Sequence, residues 1–320
     1  MRVIAASEFG SPEVLRVEQR PVPRPRPDQV VVEVKAAGIN LMDTYLRRGR
    51  VPSAPAPVAL GVDGAGIVAA VGDQATAKVG DRVAWEKVPG SYADMVAIPG
   101  ERAVPIPDGV SFQAAAAGLM QGLTAQYLCH VAVPVPRDAV VLVHSAGSGV
   151  GRMLTQLATR RGGRVIGTVS RGYKAASALE AGAWKVLVRD EIGDLGAAID
   201  ELVDGKGVDI AFDGTGKTLF EISVSALRVG GLFVTYGYAG GHIPPIDLWE
   251  QPHGVRLATI RGNPEESIDQ WRRRALQVMQ WIEDGTLDIL IDRTYPLEDA
   301  ASAHRDLESQ ETVGKLLLIP

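Results

Sequence analysis

Cysteine is almost absent from this sequence: Cys129 is the only one in 320 residues. A single thiol excludes an intramolecular disulfide and any zinc site built from cysteines. It lies in the apolar run Tyr127-Leu128-Cys129, where a thiol is expected to act as a small buried hydrophobe. The five histidines, at 130, 144, 242, 253 and 304, are scattered without a metal-ligand spacing. No apolar run approaches the roughly 20 residues of a membrane-spanning helix. The opening Met1-Arg2-Val3-Ile4-Ala5-Ala6 soon meets Glu8, so no signal peptide is expected and the expected compartment is the reducing cytoplasm. Excess positive charge is missing as well. The formal net charge of −5 offers no bulk attraction to nucleic acid or an anionic membrane surface.

What is present is the composition of an ordinary globular protein, 46% hydrophobic and 22% charged, long enough for one large or two ordinary domains. The first third reads as β-rich. Valines crowd Gln29 to Ala37, a Val/Ala/Gly stretch runs from Gly61 to Gly72, and Ser91 to Pro99 closes on proline. Prolines between Pro21 and Pro27 and between Pro52 and Pro57 mark extended connectors. Short strands divided by turns predict a small barrel or folded sheet.

The rhythm changes near Asp138. Ala139-Val140-Val141-Leu142-Val143 has the continuous apolar character of a strand buried on both faces. Val150, Met153, Leu154, Leu157 and Ala158 then follow helical spacing. The alternation continues: strand 164–169, helix 174–181, strand 185–188, helix 192–203, strand 208–212, helix 219–228, strand 232–236 and strand 255–260. Repeated β–α alternation predicts a doubly wound parallel sheet of Rossmann type. Beyond it, Ile268, Trp271, Ala275, Val278, Met279 and Ile282 form the stripe of a long amphipathic helix ending before Gly285. A helix over 297–307 and a strand over 315–319 are expected to close the chain.

Between the first buried strand and first helix lies His144-Ser145-Ala146-Gly147-Ser148-Gly149-Val150-Gly151. A pyrophosphate must approach backbone N–H groups at a helix N-terminus, and bare glycines at the turn permit this. Ala146 and Ser148 depart from the strict G-x-G-x-x-G fingerprint; the strand–loop–helix setting gives the loop its meaning. An NAD enzyme usually places an acid at the end of the second strand for the ribose hydroxyls. Here the residues are Ser170-Arg171-Gly172-Tyr173-Lys174, and Ser170, Arg171 and Lys174 can all donate to a 2′-phosphate. The expected cofactor is therefore NADPH, with Arg189 at the end of the next strand adding a third cation.

These features, with Gly38-Ile39-Asn40-Leu41-Met42-Asp43-Thr44-Tyr45, Gly61-Val62-Asp63-Gly64-Ala65-Gly66, Gly122-Leu123-Thr124-Ala125, Ala178-Leu179-Glu180-Ala181-Gly182-Ala183 and the closing Leu317-Leu318-Ile319-Pro320, resemble the zinc-free quinone oxidoreductase (ζ-crystallin-like) branch of the medium-chain dehydrogenase/reductase superfamily. The resemblance runs essentially end to end. It implies a GroES-like catalytic domain over 1–120 and 264–320, a Rossmann NADPH-binding domain over 121–263, and a homodimer joined through the latter. Asn40 and Val62 stand where zinc relatives carry ligands, so no metal is expected.

Metal-free hydride delivery suits an acceptor that is already electron-poor, a quinone or a conjugated carbonyl. By resemblance Asn40 and Tyr45 face the acceptor, with Asp43 orienting them; the alternatives are a helix cap for Asn40 and a packed aromatic for Tyr45. The cofactor-binding set is Asn40, Thr124, Gly147, Ser148, Gly149, Val150, Ser170, Arg171, Lys174, Arg189, Thr215, Tyr236, Gly237 and Lys315. Lys315 is expected near the adenosine phosphate, an exposed charge being the alternative. Trp85 and Trp249 are expected to pack in the core, with lining of the substrate pocket the alternative. The leading activity is an NADPH:quinone reductase. An NADPH-dependent enoyl or alkenal double-bond reductase is the runner-up, and a non-enzymatic NADPH-binding, crystallin-like or RNA-binding protein is a third possibility.

Overall fold

In the computed structural model the valine-rich runs become strands of two separate sheet systems. Residues 1–51, 56, 58–247, 249–251, 254–260 and 265–320 are described. His253, the connector from Pro52 to Pro57 apart from Ala56, and the expected domain boundary at 263/264 lie outside the described residues. The chain divides into two compact units, Met1–Leu123 with Glu266–Pro320, and Thr124–Glu265.

The second unit is a six-stranded sheet in which every pairing is parallel. Its order is Lys185–Val188, Arg164–Val169, Val140–His144, Val208–Asp213, Leu227–Thr235, Arg256–Thr259, the 3-2-1-4-5-6 order of the Rossmann fold. Leu142, Ile166, Ala211 and Phe233 fill the core with Ile199, Phe220 and Val224 from the helices. The order reverses between Val140–His144 and Val208–Asp213, and a crevice opens beyond the carboxyl ends of strands at such a point.

Two helices are shorter than their apolar spacing predicts. The helix expected over 192–203 spans Leu195–Leu202, because the Asp194 carboxylate accepts from Ala197 N at 3.0 Å and starts it there. The helix expected over 219–228 stops at Ser225, and Leu227 already belongs to the next strand. Gly230, at φ +75°, turns the chain within that strand, and the register shifts between Val208 and Ile210 opposite it.

In the first unit, the 11-residue strand Gln29–Ile39 is the spine. Asp63–Val71 pairs along one edge; the other is shared by Met95–Pro99 and Lys315–Ile319. The chain's last strand thus lies beside the end of its third. A long helix, Phe112–Gln126, continues into a π-helical turn over Tyr127–Ala132. Its glycines allow close packing on Ile268–Glu283: a Cβ at Gly118 would lie 2.5 Å from Ile282 Cδ1, and one at Gly122 would lie 2.7 Å from Val278 Cγ1. Cys129 is fully buried, and burial pushes its thiol up to about 12.

Two buried histidines have determinate tautomers. Ser223 Oγ donates to Leu219 O at 2.6 Å, so it must accept from His144 Nε2 at 2.8 Å, and His144 Nδ1 accepts from Thr168 Oγ1 at 2.8 Å. In the first unit Arg47 can only donate, so His304 Nδ1 accepts from it and Nε2 donates to the Tyr92 hydroxyl at 3.1 Å. Burial pushes both imidazoles down to about 3. Unfolded histidine takes up its proton near pH 6.5, so each residue costs about 1.4 kcal/mol of stability per pH unit as pH falls from about 6.5 toward 3. Urea unfolding should therefore take up protons across this window. His144→Asn is expected to flatten the pH dependence by one proton; an unchanged slope would mean that the imidazole is already protonated in the fold.

Candidate active site

In the second unit, the glycine loop occupies the predicted place between Val140–His144 and the helix Gly149–Arg160. Ser145 and Gly149 both take positive φ, +55° and +53°, giving the sharp reversal that aims backbone N–H groups outward. The loop has no room at two positions. A Cβ at Gly151 would sit 2.3 Å from Ser145 O, and one at Gly147 would sit 2.8 Å from Lys174 O. The second contact brings the loop against the segment that follows the next strand. Ser177 Oγ donates to Gly147 O at 2.8 Å, and buried Arg152 Nε donates to Ser177 Oγ at 3.1 Å, so the loop is braced from below. Ser148 is the N-cap residue and Val150 lies in the first turn, both half-buried.

Around this cradle stand the expected cations. Ser170 is half-buried at the end of its strand, and Lys174 is buried beside Gly147 with Nζ 5.8 Å from the Tyr173 ring. Arg171 is exposed and pairs with Asp190 Oδ2 at 2.5 Å, an acid contributed by the segment after the next strand. Both partners are open to solvent, and such a pair is worth little. Arg189 is less exposed, and burial holds its guanidinium below the usual range, against the pull of Asp190 and Asp213. At the ends of the next two strands, the Asp213 carboxylate accepts from Thr215 N and Gly216 N at 2.6 and 3.1 Å. A Cβ at Gly214 would touch the Tyr236 ring at 2.8 Å, and one at Gly237 would lie 2.7 Å from Gly214 O. Among the described residues, Arg189 Nε and Thr215 Oγ1 are buried polar atoms without a hydrogen-bond partner. Thr124 is half-buried near the end of Phe112–Gln126.

A different polar cluster occupies the first unit. Asn40 is the N-cap residue of the helix Leu41–Arg47, which carries Asp43 and Tyr45. Asp43 Oδ2 accepts from Asn40 N at 2.8 Å, and Oδ1 accepts from Gly61 N at 3.0 Å. Burial and the neighbouring Asp63 carboxylate push Asp43 up to about 7, against the pull of these two N–H groups and of Lys315. Asp63 is raised by burial as well, opposed by Lys315 and Asn40. Tyr45 is half-exposed.

Three expectations need correcting. Asn40 does not offer its amide outward: Nδ2 donates to Asp63 Oδ1 at 2.8 Å and Oδ1 accepts from Lys315 Nζ at 2.5 Å. Lys315 is not an exposed charge, being 3% exposed and committed to this cluster. Core packing holds for Trp85, whose Nε1 donates to Ser91 Oγ at 2.8 Å, and fails for Trp249, which is 95% exposed. Sequence reasoning passed over Asp63 and Gln121 as partners of Lys315. An acid within the apolar run Gly61-Val62-Asp63-Gly64-Ala65 was the available signal, since a buried carboxylate requires a partner.

Among the described residues, no helix is long and apolar enough to cross a membrane, and no group of three or more His, Cys, Asp or Glu side chains is placed to hold a metal ion. Residues 26–108 match the alcohol dehydrogenase GroES-like domain, and residues 181–318 match the zinc-binding dehydrogenase family. The Pseudomonas aeruginosa quinone oxidoreductase is 34% identical over 99% of both chains. A 2-haloacrylate reductase from a Burkholderia species is 32% identical, covering 97% of this chain and 96% of its own. Escherichia coli quinone oxidoreductase, solved in complex with NADPH, superposes with a TM-score of 0.94 at 34% identity over the whole of both chains. The architecture is thus a Rossmann-type parallel sheet with a separate GroES-like β domain, and the chain belongs to the quinone oxidoreductase branch of the medium-chain dehydrogenase/reductase superfamily.

Proposed function

We propose that this protein is an oxidoreductase that binds NADPH and reduces quinones. The observation that carries the reading is the cradle formed by Gly147 and Gly151, where a Cβ would collide with backbone, beside Ser170, Arg171 and Lys174. A dinucleotide phosphate fits this place chemically: the loop supplies bare N–H groups at a helix N-terminus, and the neighbouring segment supplies cations and a hydroxyl. Gly147 to Val150 would hold the pyrophosphate, Ser170, Arg171, Lys174 and Arg189 the 2′-phosphate, and Thr124, Thr215, Tyr236 and Gly237 the remainder. NADPH, when bound, supplies the hydride.

The chain's own residues have the task of receiving and positioning the acceptor. Tyr45, half-exposed on the Leu41–Arg47 helix, is the hydroxyl we assign to hydrogen-bond the acceptor oxygen as charge develops there. Asn40 and Asp43 are assigned to hold that helix rather than to touch the acceptor, because their polar atoms are already engaged. A cytoplasmic homodimer is the setting we infer from the resemblance.

The reading is tested by NADPH oxidation with 1,4-benzoquinone and with enals and enones in parallel. Turnover with quinones is expected. Turnover confined to conjugated carbonyls would favour the second reading, a double-bond reductase, which the similarity to a 2-haloacrylate reductase supports. For the cofactor, Arg171→Ala with Lys174→Ala removes two charge-assisted contacts of about 1.5–3 kcal/mol each. NADPH affinity should fall at least about tenfold while NADH affinity changes less than about twofold. An equal loss for both would show that these residues only support the loop.

A further inference from the structure

The cluster around Asn40 holds more charge than stability requires. Lys315 and Asp63 are 3% and 1% exposed. Removing two such ions from water costs several kcal/mol each, and a well-packed apolar pair is often as stable or more so. What the ion pair supplies here is direction. The two ends of an asparagine amide have nearly the same shape and are told apart by hydrogen bonding alone. The ammonium of Lys315 at Oδ1 and the carboxylate of Asp63 at Nδ2 leave one orientation.

Lys315 has two further contacts. Lys315 Nζ faces Asp63 Oδ2 at 3.5 Å. The Gln121 amide lies 3.2 Å from both Ala117 O and Lys315 Nζ, and with its nitrogen donating to Ala117 its oxygen accepts from the lysine. The Asp63 carboxylate lies over its strand neighbour Gly38, where a Cβ would be 2.4 Å from Asp63 Oδ1, so the absence of a side chain at 38 gives it this place. The oriented Asn40 begins the helix that carries Tyr45.

We propose that Asp63 and Lys315 are positioning residues for the reductase reaction, acting through the Asn40 amide to fix the start of the Leu41–Arg47 helix and so the place of Tyr45. This rests on the assignment of Tyr45 to the acceptor oxygen. A displacement of about 1 Å at such a group can cost up to a hundredfold in rate.

The test is a kinetic double-mutant cycle with NADPH and 1,4-benzoquinone, using Lys315→Gln, Asn40→Ala and the pair. Lys315→Gln is expected to lower kcat about tenfold or more in the wild-type background and less than about twofold in the Asn40→Ala background, with KM for NADPH unchanged. Equal losses in both backgrounds, or no loss in either, would overturn the proposal. If Lys315→Gln alone does not fold, Asp63→Asn with Lys315→Gln removes both charges and leaves neither orphaned. This pair should melt near the wild-type temperature yet retain the kcat defect; recovery of both would make the ion pair merely structural. Absence of quinone turnover in the wild type would remove the reductase reading and the positioning role with it. Wild-type turnover with an indifferent Lys315→Gln would remove only the latter.

Discussion

Gly151→Ala is expected to abolish useful NADPH binding while leaving most of the fold in place. The added methyl would lie 2.3 Å from Ser145 O, 2.8 Å from Ser145 C and 3.0 Å from His144 O. All three are backbone atoms, so no side chain can rotate away to make room. Ser145 already takes φ +55°, which a non-glycine residue adopts at a cost. Relief must come from moving the helix start away from the strand end. Overpacking of this kind costs about 1–3 kcal/mol. Charged against the loop geometry that meets the phosphates, the upper end of that range is roughly a hundredfold in affinity.

The neighbouring glycines give a graded control. Gly147→Ala meets Lys174 O at 2.8 Å, and its effect should be smaller because the Ser170–Lys174 segment can yield. Gly149→Ala is strained by φ +53°, which costs about 1–2 kcal/mol. Fluorescence titration with NADPH should rank the losses with Gly151→Ala first. Binding by Gly151→Ala within about threefold of wild type, well below the overpacking cost, would mean that the loop is not the phosphate site.

That loop was legible from sequence because its constraints are local. Strand, glycines and helix follow one another within about a dozen residues, and the parallel sheet repeats a pattern that periodicity detects. The helix Phe112–Gln126 gave no such pattern. It is alanine-rich and apolar almost all round, with Gly118 and Gly122 in its middle, so no stripe separates a buried from an exposed face. Its glycines are there for Ile282 and Val278, more than 150 residues away. The strand Ile291–Pro296 is short and polar and was passed over for a similar reason. In the first unit, Lys315 meets Asn40 across 275 residues. A lysine at the start of a terminal strand reads as an exposed charge unless the pairing of Lys315–Ile319 with Gln29–Ile39 is known.

Asp43 and Tyr45, two residues apart on one helix, should fail in opposite ways. Asp43 is fully buried, and its two oxygens accept from Asn40 N and Gly61 N. The second bond ties the helix start to a turn in which Gly61 takes φ +80° and packs so closely on Tyr92 that a Cβ would be 2.4 Å from its ring. Asp43→Ala would orphan both N–H groups at about 1–3 kcal/mol each. A loss of about 4 kcal/mol is therefore expected, a large part of the 5–15 kcal/mol by which such proteins are stable. Asp43→Asn keeps one acceptor and should lose about half as much. In contrast, Tyr45→Phe removes only a hydroxyl from a half-exposed ring. It should cost far less stability than Asp43→Ala and lower quinone turnover about a hundredfold, the scale of a lost proton or hydrogen-bond donor in the transition state. NADPH affinity should be kept. Full turnover by a stable Tyr45→Phe would remove the tyrosine from the chemistry, and a stable Asp43→Ala would show that the turn at Gly61 does not depend on its carboxylate.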